Sequence, residues 1–161
     1  MTERDLVDKT RAAALRLLTH RPRSVFEMKD RLSQRFPPGA VNEVVSALAT
    51  TSLLDDTAFA RWWTESRTGS RPIAASMIAR ELAQKGIDGE IVAFAIADVD
   101  DAANARALAR KAVRSIPTDQ YDRFARRLLG RLARRGYSSN ICRSAVKEAW
   151  SEHKSEAPAP G

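Results

Sequence analysis

One cysteine and two histidines are all that this 161-residue chain holds of the side chains most used to bind metals or attack substrates. A single thiol, Cys142, excludes an internal disulfide. His20 and His153 are far apart in sequence, and neither stands beside a nucleophile. There is no Gly-rich phosphate loop, no Cys-x-x-Cys and no His-Glu-x-x-His. These absences leave no catalytic residue, no metal ligand set and no cofactor to nominate, so a non-enzymatic protein is expected. No apolar run is long enough to cross a membrane, and the basic-then-apolar pattern of a secretory start is missing. A cytoplasmic protein is the expectation. Alternation with period two, the mark of a half-buried strand, is also missing throughout.

What the chain does have is internal repetition. Leu82-Ala83-Gln84-Lys85-Gly86-Ile87 recurs 50 residues later as Leu132-Ala133-Arg134-Arg135-Gly136-Tyr137. Ile91, Val92, Ala95 and Ile96 match Ile141, Cys142, Ala145 and Val146 at the same offset, which assigns Cys142 to packing. Another 50 residues back lie Leu32, Val41 and Val45, with Phe36 where the glycine was. A fixed period of this size marks units that bury their apolar faces against one another.

Apolar positions recur at spacings of three and four, which is helical. In the first unit they are Leu15 and Leu18, then Val25, Met28, Leu32 and Phe36, then Val41, Val44, Val45 and Leu48. In the second they run through Phe59, Trp62, Trp63 and Ser66, then Ala74, Met77, Ile78 and Leu82, then Ile87, Ile91, Phe94, Ala95 and Val99. The third offers Ala105, Leu108, Ala109, Ala112, Val113 and Ile116, then Phe124, Leu128 and Leu132, then Tyr137, Ile141, Ala145 and Trp150. The fold class is therefore all-α, with three tandem three-helix repeats forming an elongated, curved helical array. The expected organisation is a flexible segment over 1–10, repeats over 11–55, 56–100 and 101–153, and a disordered tail over 154–161. Nothing resembles a long coiled-coil seam, and a monomer is expected.

The helix ends carry their own chemistry. Ser24-Val25-Phe26-Glu27 reads as a capping box. Asp55-Asp56 and Asp100-Asp101 recur at an offset of 45 and suit helix starts, where carboxylates meet unpaired N–H groups. Ser138-Ser139 reads the same way. Gly86 and Gly136 close the second helices of their units as left-handed caps. The first unit stops its helix with Phe36-Pro37-Pro38-Gly39 instead, since proline cannot continue a helix.

Charge is uneven. Residues 101–161 hold thirteen basic and six acidic side chains, a net +7 that equals the excess of the whole chain. Arg123, Arg127, Arg131 and Arg134 run along one helix face, widened by Arg126 and Arg135. Arg106, Arg110 and Arg114 line the helix before. Such rows can meet successive phosphates or the carboxylates of a protein. No base-reading set stands out, and Trp62-Trp63 falls in the apolar register of its helix rather than forming an obvious stacking platform.

Leu17-Leu18-Thr19-His20-Arg21-Pro22-Arg23-Ser24, Glu27-Met28, Arg31-Leu32, Leu53-Leu54-Asp55-Asp56 with Phe59-Ala60, Glu81 to Ile87, and Arg134-Arg135-Gly136-Tyr137-Ser138 stand in one order along the chain. In that order and spacing the chain resembles the RecX family of bacterial recombination regulators over about residues 11–150. Phe36-Pro37 departs from the glycine expected after the second helix, and Ser70-Arg71-Pro72 from a glycine-proline step. The resemblance implies an all-helical regulator that binds the RecA–DNA filament and inhibits filament extension, ATP hydrolysis, strand exchange and co-protease action. It transfers no catalytic residue. The alternatives are a stand-alone DNA-binding helical protein using the basic third repeat, and a structural helical adaptor for another protein.

Overall fold

The computed structural model describes residues 1–157, and among them are nine helices and no strand. They are α1 (Glu3–His20), α2 (Val25–Ser33), α3 (Pro38–Thr50), α4 (Asp56–Arg67), α5 (Ala75–Gln84), α6 (Gly89–Ile96), α7 (Asp101–Ala112), α8 (Tyr121–Arg134) and α9 (Ser139–Glu156). The all-α reading holds. Two expectations at the ends do not. Thr2 and Asp5 form a capping box that starts α1 at Glu3, and Val7 and Thr10 are buried, so the stretch 1–10 is helical and anchored. Residues 154–156 continue α9, and 158–161 of the expected tail lie outside the described residues.

The helices gather into two compact units that cut across the sequence repeat. One comprises Met1–Glu65 with Ala79–Ala97; the other comprises Ser66–Ile78 with the chain from Asp98 onward. In the first, α1 and α2 pack on α3 around Ala14, Met28, Leu32, Val41, Val44, Val45 and Leu48. In the second, α7 and α8 pack on α9 around Ala105, Ala109, Phe124, Leu128, Leu132, Cys142, Ala145 and Val146. Each fully buried leucine or phenylalanine here contributes about 1.5–3 kcal/mol of transfer free energy.

Each unit contains the same joint between neighbouring repeats. In the first, Asp55 accepts from Ala58 N–H (3.1 Å) and caps its own helix α4, while Asp56 accepts from Val25 N–H (2.9 Å) at the start of α2. In the second, Asp100 accepts from Ala103 N–H (3.0 Å), while Asp101 accepts from Ala75 N–H (2.9 Å) at the start of α5. The aspartate pair thus serves two helices, one residue each. An acid at a helix start is the expected local signal; that the second acid serves the helix of the preceding repeat is a tertiary fact.

The glycines complete the joint. Gly86 and Gly136 have φ of 74° and 90°, the left-handed caps expected of them. Around Gly86 the N–H of Ile87 reaches back to Leu82 C=O (3.1 Å), and that of Gly86 to Ala83 C=O (3.0 Å). This turn exposes the carbonyl of Lys85, which accepts from Ser24 Oγ (2.8 Å). Its counterpart, Arg135 C=O, accepts from Ala74 N–H (2.9 Å). A helix C-terminus is therefore met by a helix N-terminus, carbonyl end to amide end, which the helix dipoles favour. A Cβ on Gly86 would collide with Phe26, and one on Gly136 would lie 2.6 Å from Met77 Cγ. In the first repeat Phe36 stands in place of the glycine, and α2 ends without a positive φ.

Around the first joint, Arg21 grips Glu27 through both guanidinium nitrogens (2.5 and 3.3 Å), and Lys85 Nζ approaches it to 3.3 Å. Burial alone would raise the Glu27 carboxyl. The hydrogen bonds from Arg21 and Ser24 N–H, with the charges of Arg21 and Lys85, outweigh it and hold the group below its usual value. Around the second joint, Tyr137 is buried and its hydroxyl donates to Pro72 C=O (2.9 Å). Burial first, then the charge of Asp101, push its phenol up to about 12.

Some stripe positions turn outward. Leu15 is exposed, and α1 buries Val7, Thr10 and Ala14 instead. Ser66 is exposed while Thr64 is buried, and Phe94 stands out at 71% exposure while Val92 is buried. In all three places the helix is rotated by one or two residues from the register that a count of apolar residues alone selects.

Two outcomes follow. Gly136→Val should destabilise the protein by more than ~1 kcal/mol, the scale of left-handed strain for a residue with a Cβ. Equal thermal midpoints for variant and parent would contradict this. Glu27 has a lower pKa folded than unfolded, so its stabilisation is complete above the ordinary carboxylate value of 4.5 and lost as pH falls below it. In denaturant titrations the parent should therefore lose more stability than Glu27→Gln on acidification from about pH 6 to about pH 3. Parallel curves would refute the assignment.

Candidate anion-binding face of the third repeat

Helix α8 is the most sharply divided helix of the protein. Phe124, Leu128 and Leu132 are at most 1% exposed, whereas Arg123, Arg126, Arg127, Arg131 and Arg134 are all exposed. The reason is elementary: at 3.6 residues per turn, positions 123, 127, 131 and 134 return to one side. Gln120 precedes the helix without a side-chain cap, so the apolar stripe, held against α9, fixes the helix rather than its N-terminus.

The nine arginines separate into distinct environments. Arg110 makes a two-pronged pair with Glu152 of α9 (3.0 and 3.2 Å), and its pKa is raised by that hydrogen bond and charge. Arg106 lies 4.0 Å from Glu148, and Arg123 lies 3.5 Å from Asp119. These three are neutralised by neighbours, and the i, i+4 row on α7 faces α9 rather than a free surface over much of its length. Exposed pairs of this kind contribute little stability. Arg135 is half-buried and donates to the carbonyls of Arg71 (2.9 Å) and Pro72 (3.4 Å), so it holds the joint. Arg131 donates to Ser115 Oγ (3.1 Å). Among the described residues no carboxylate pairs with Arg114, Arg126, Arg127, Arg131 or Arg134.

Between α7 and α8 lies an open concavity of about 710 Å³. Arg131, Arg134 and Arg135 line it, together with two cations that sequence periodicity passes over, Lys111 and Arg71. Lys111 Nζ reaches Ser70 C=O at 3.4 Å. Arg71 stands in the segment before α5, where no helical spacing marks it, and the contact with Arg135 brings it in. Among the described residues no carboxylate lines this hollow and no aromatic ring does. Its floor is the flank of Leu128 and Leu132. Chemically it is a recess that attracts anions by charge and hydrogen bonding and offers nothing that would read a base.

The other candidate side chains lie elsewhere. Cys142 is buried, its thiol donates to Tyr137 C=O (3.5 Å), and burial pushes the thiol up, so it packs as expected. Trp62 and Trp63 are half-buried and cluster with Phe59, ring centroids 5.8–6.0 Å apart. The Trp63 indole donates to Glu81 (2.8 Å), and Lys85 sits 4.7 Å from its ring centroid. That pair is a packed cluster, not an open platform. Among the described residues no three His, Cys, Asp or Glu side chains gather as a metal would need, and no helix is long and apolar enough to cross a membrane.

Known proteins match the whole arrangement. Residues 11–48 match the first three-helix domain of RecX, residues 55–96 the second and residues 98–146 the third. The chain is 37% identical to a regulatory protein RecX of Streptomyces lividans over 153 residues, covering 92% of this chain and 81% of that one. It is equally 37% identical to a regulatory protein RecX of Mycobacterium avium, covering 91% and 88%. The crystal structure of RecX from Lactobacillus salivarius superposes with a TM-score of 0.75 at 25% identity, covering 90% of this chain and 97% of that chain. Three domains matched in order, over a helical core that superposes on a solved relative, establish that the chain belongs to the RecX family of regulatory proteins.

Proposed function

We propose that the protein regulates the RecA recombinase by binding its filament on DNA and lowering filament extension, ATP hydrolysis, strand exchange and co-protease action in the cytoplasm. The observation that carries this reading is the match to regulatory proteins RecX over 92% of this chain and 81% of the relative, in which all three helical domains are represented. The structure supports a role in binding rather than turnover: its notable side chains are uncompensated guanidinium groups around a recess, with Cys142 buried and raised.

The mechanism is one of differential affinity. A ligand shifts a conformational equilibrium only as far as it prefers one state over the other. A tenfold preference for the resting filament over the state visited during ATP turnover or subunit addition is worth about 1.4 kcal/mol. That is within reach of a few charge-assisted hydrogen bonds from Arg127, Arg131 and Arg134. A second reading, a stand-alone DNA-binding protein acting through the same basic face, is favoured by the absence of carboxylates around the recess.

Single-stranded-DNA-dependent ATP hydrolysis by RecA tests the first reading. Added protein should lower the rate in a saturable way, and a variant with Arg127, Arg131 and Arg134 all changed to alanine should require a higher concentration for the same effect while keeping its thermal midpoint. A rate unchanged at saturating parent protein would overturn it. If DNA alone is bound and the RecA rate is untouched, the second reading stands in its place.

A further inference from the structure

The first repeat holds a second basic recess that charge counting hides, because residues 1–55 are nearly balanced at nine basic and seven acidic side chains. An open cleft of about 340 Å³ lies between α1 and α2. Arg16 and His20 line it from α1, Arg31 and Arg35 from α2 and its end, and Leu32 and Phe36 lie beside them. Among the described residues no carboxylate lines it. Arg16, Arg31 and Arg35 are exposed, and among the described residues none of the three pairs with an acid.

This cleft corresponds, repeat for repeat, to the recess between α7 and α8. Arg31, Leu32 and Arg35 recur 100 positions on as Arg131, Leu132 and Arg135. Both leucines are buried, at 2% and 1% exposure, so Arg31 and Arg131 are carried in the same helical register, while Arg35 follows the end of α2 and Arg135 ends α8. The middle repeat breaks the pattern: Glu81, Leu82 and Lys85 stand there, and Glu81 accepts the Trp63 indole N–H. A basic cleft is thus present in the first and third repeats, each within its own compact unit, and replaced in the second.

Arginine in the last turn of a helix often does no more than offset the negative end of the dipole. The magnitudes decide against that reading here. Two helix C-termini bring about −0.5 charge each, against three guanidinium groups, leaving roughly +2 before His20 is considered. Among the described residues no carboxylate pairs with that excess.

We propose that the α1–α2 cleft is a binding site for the sugar-phosphate backbone of single-stranded nucleic acid, equivalent to the α7–α8 recess. The proposal rests on the reading above that the partner includes DNA. A recess between helices suits one strand: a duplex is read by an element that protrudes into its groove, whereas a single strand is tracked by cations with a ring alongside. Phe36 is half-buried beside the cleft, with the Arg35 guanidinium 5.6 Å from its ring centroid, so an aromatic face and a cation stand together where a base and its phosphate would lie. The α7–α8 recess has cations without a ring, which assigns stacking to the first repeat alone.

The test uses the full chain without RecA. Fluorescence anisotropy of a labelled oligothymidylate, titrated at several salt concentrations, should show the parent binding single strands more tightly than duplex. A variant with Arg16, Arg31 and Arg35 changed to glutamine should bind at least ~10-fold more weakly at low salt, and its log–log salt slope should flatten by roughly 0.7 per lost contact. Phe36→Ala should weaken single-strand binding with the slope unchanged. If the triple variant has a lowered thermal midpoint, Arg31→Gln alone, at an exposed position, should still flatten the slope by roughly 0.7. An unchanged affinity and slope in folded variants would overturn the proposal, as would tighter binding of duplex or no binding of single strands by the parent. Loss of RecA inhibition with oligonucleotide binding intact would also overturn it, and would make the cleft a protein-binding surface. The RecA assay is read separately: inhibition without single-strand binding sinks only this site, and single-strand binding without inhibition sinks only the RecA reading.

Discussion

Two aspartates and two glycines hold successive repeats together, and the placement of the exposed arginines depends on them. Asp56 and Asp101 each cap a helix belonging to the repeat before their own, through N–H groups of Val25 and Ala75 at 2.9 Å. Gly86 and Gly136 let the chain turn so that the carbonyl just before each glycine meets the same helix start. A helix N-terminus leaves four N–H groups without partners, and burying it without acceptors would cost about 1–3 kcal/mol per group. The neighbouring repeat supplies an acceptor for Val25 N–H at the first joint and for Ala74 and Ala75 N–H at the second, so local capping and tertiary packing become one event. The two compact units each close around one joint, which explains why the second repeat is divided between them, inside α4 and inside α5.

Electrostatics then sorts the surface. Nine arginines of the third repeat look alike in sequence, yet Arg106, Arg110 and Arg123 face carboxylates and Arg135 is spent on the joint. Of the five that remain, Arg131 and Arg134 line a recess with Lys111 and Arg71, and Arg114, Arg126 and Arg127 lie outside its lining. Desolvated or neutralised guanidinium groups have little left to offer a partner, while exposed ones without an acid nearby retain their full attraction. The candidate surface is defined as much by the glutamates of α9 as by the arginines of α8.

Much of this was legible in the amino-acid order, and the failures are instructive. Helix type, the caps at Ser24 and Ser138, the left-handed glycines and the buried Cys142 follow from local chemistry, which acts over three or four residues. The outward turn of Leu15 and Phe94 does not, because a helix with apolar residues on more than one side takes its rotation from its neighbours. Met1–Lys9 looked polar enough to be loose, but a capping box at Thr2 and the burial of Val7 and Thr10 anchor it. Arg71 and the α1–α2 cleft are not legible there, because clustering in space leaves no trace in a count of charge along the chain. Asp56 and Asp101 were recognisable as cap residues; which helix they cap was not.

Site-resolved amide hydrogen exchange at Val25 and Ala75 tests the joint most directly. If the joint is a unit, both amides exchange slowly in the parent. Asp101→Ala should then speed exchange at Ala75 and Ala74 together with the turn at Gly136 and Tyr137, while Val25 keeps its protection. Fast exchange at Val25 and Ala75 in the parent, or a change confined to Ala75 in the variant, would show that the aspartates are incidental to how the repeats are joined.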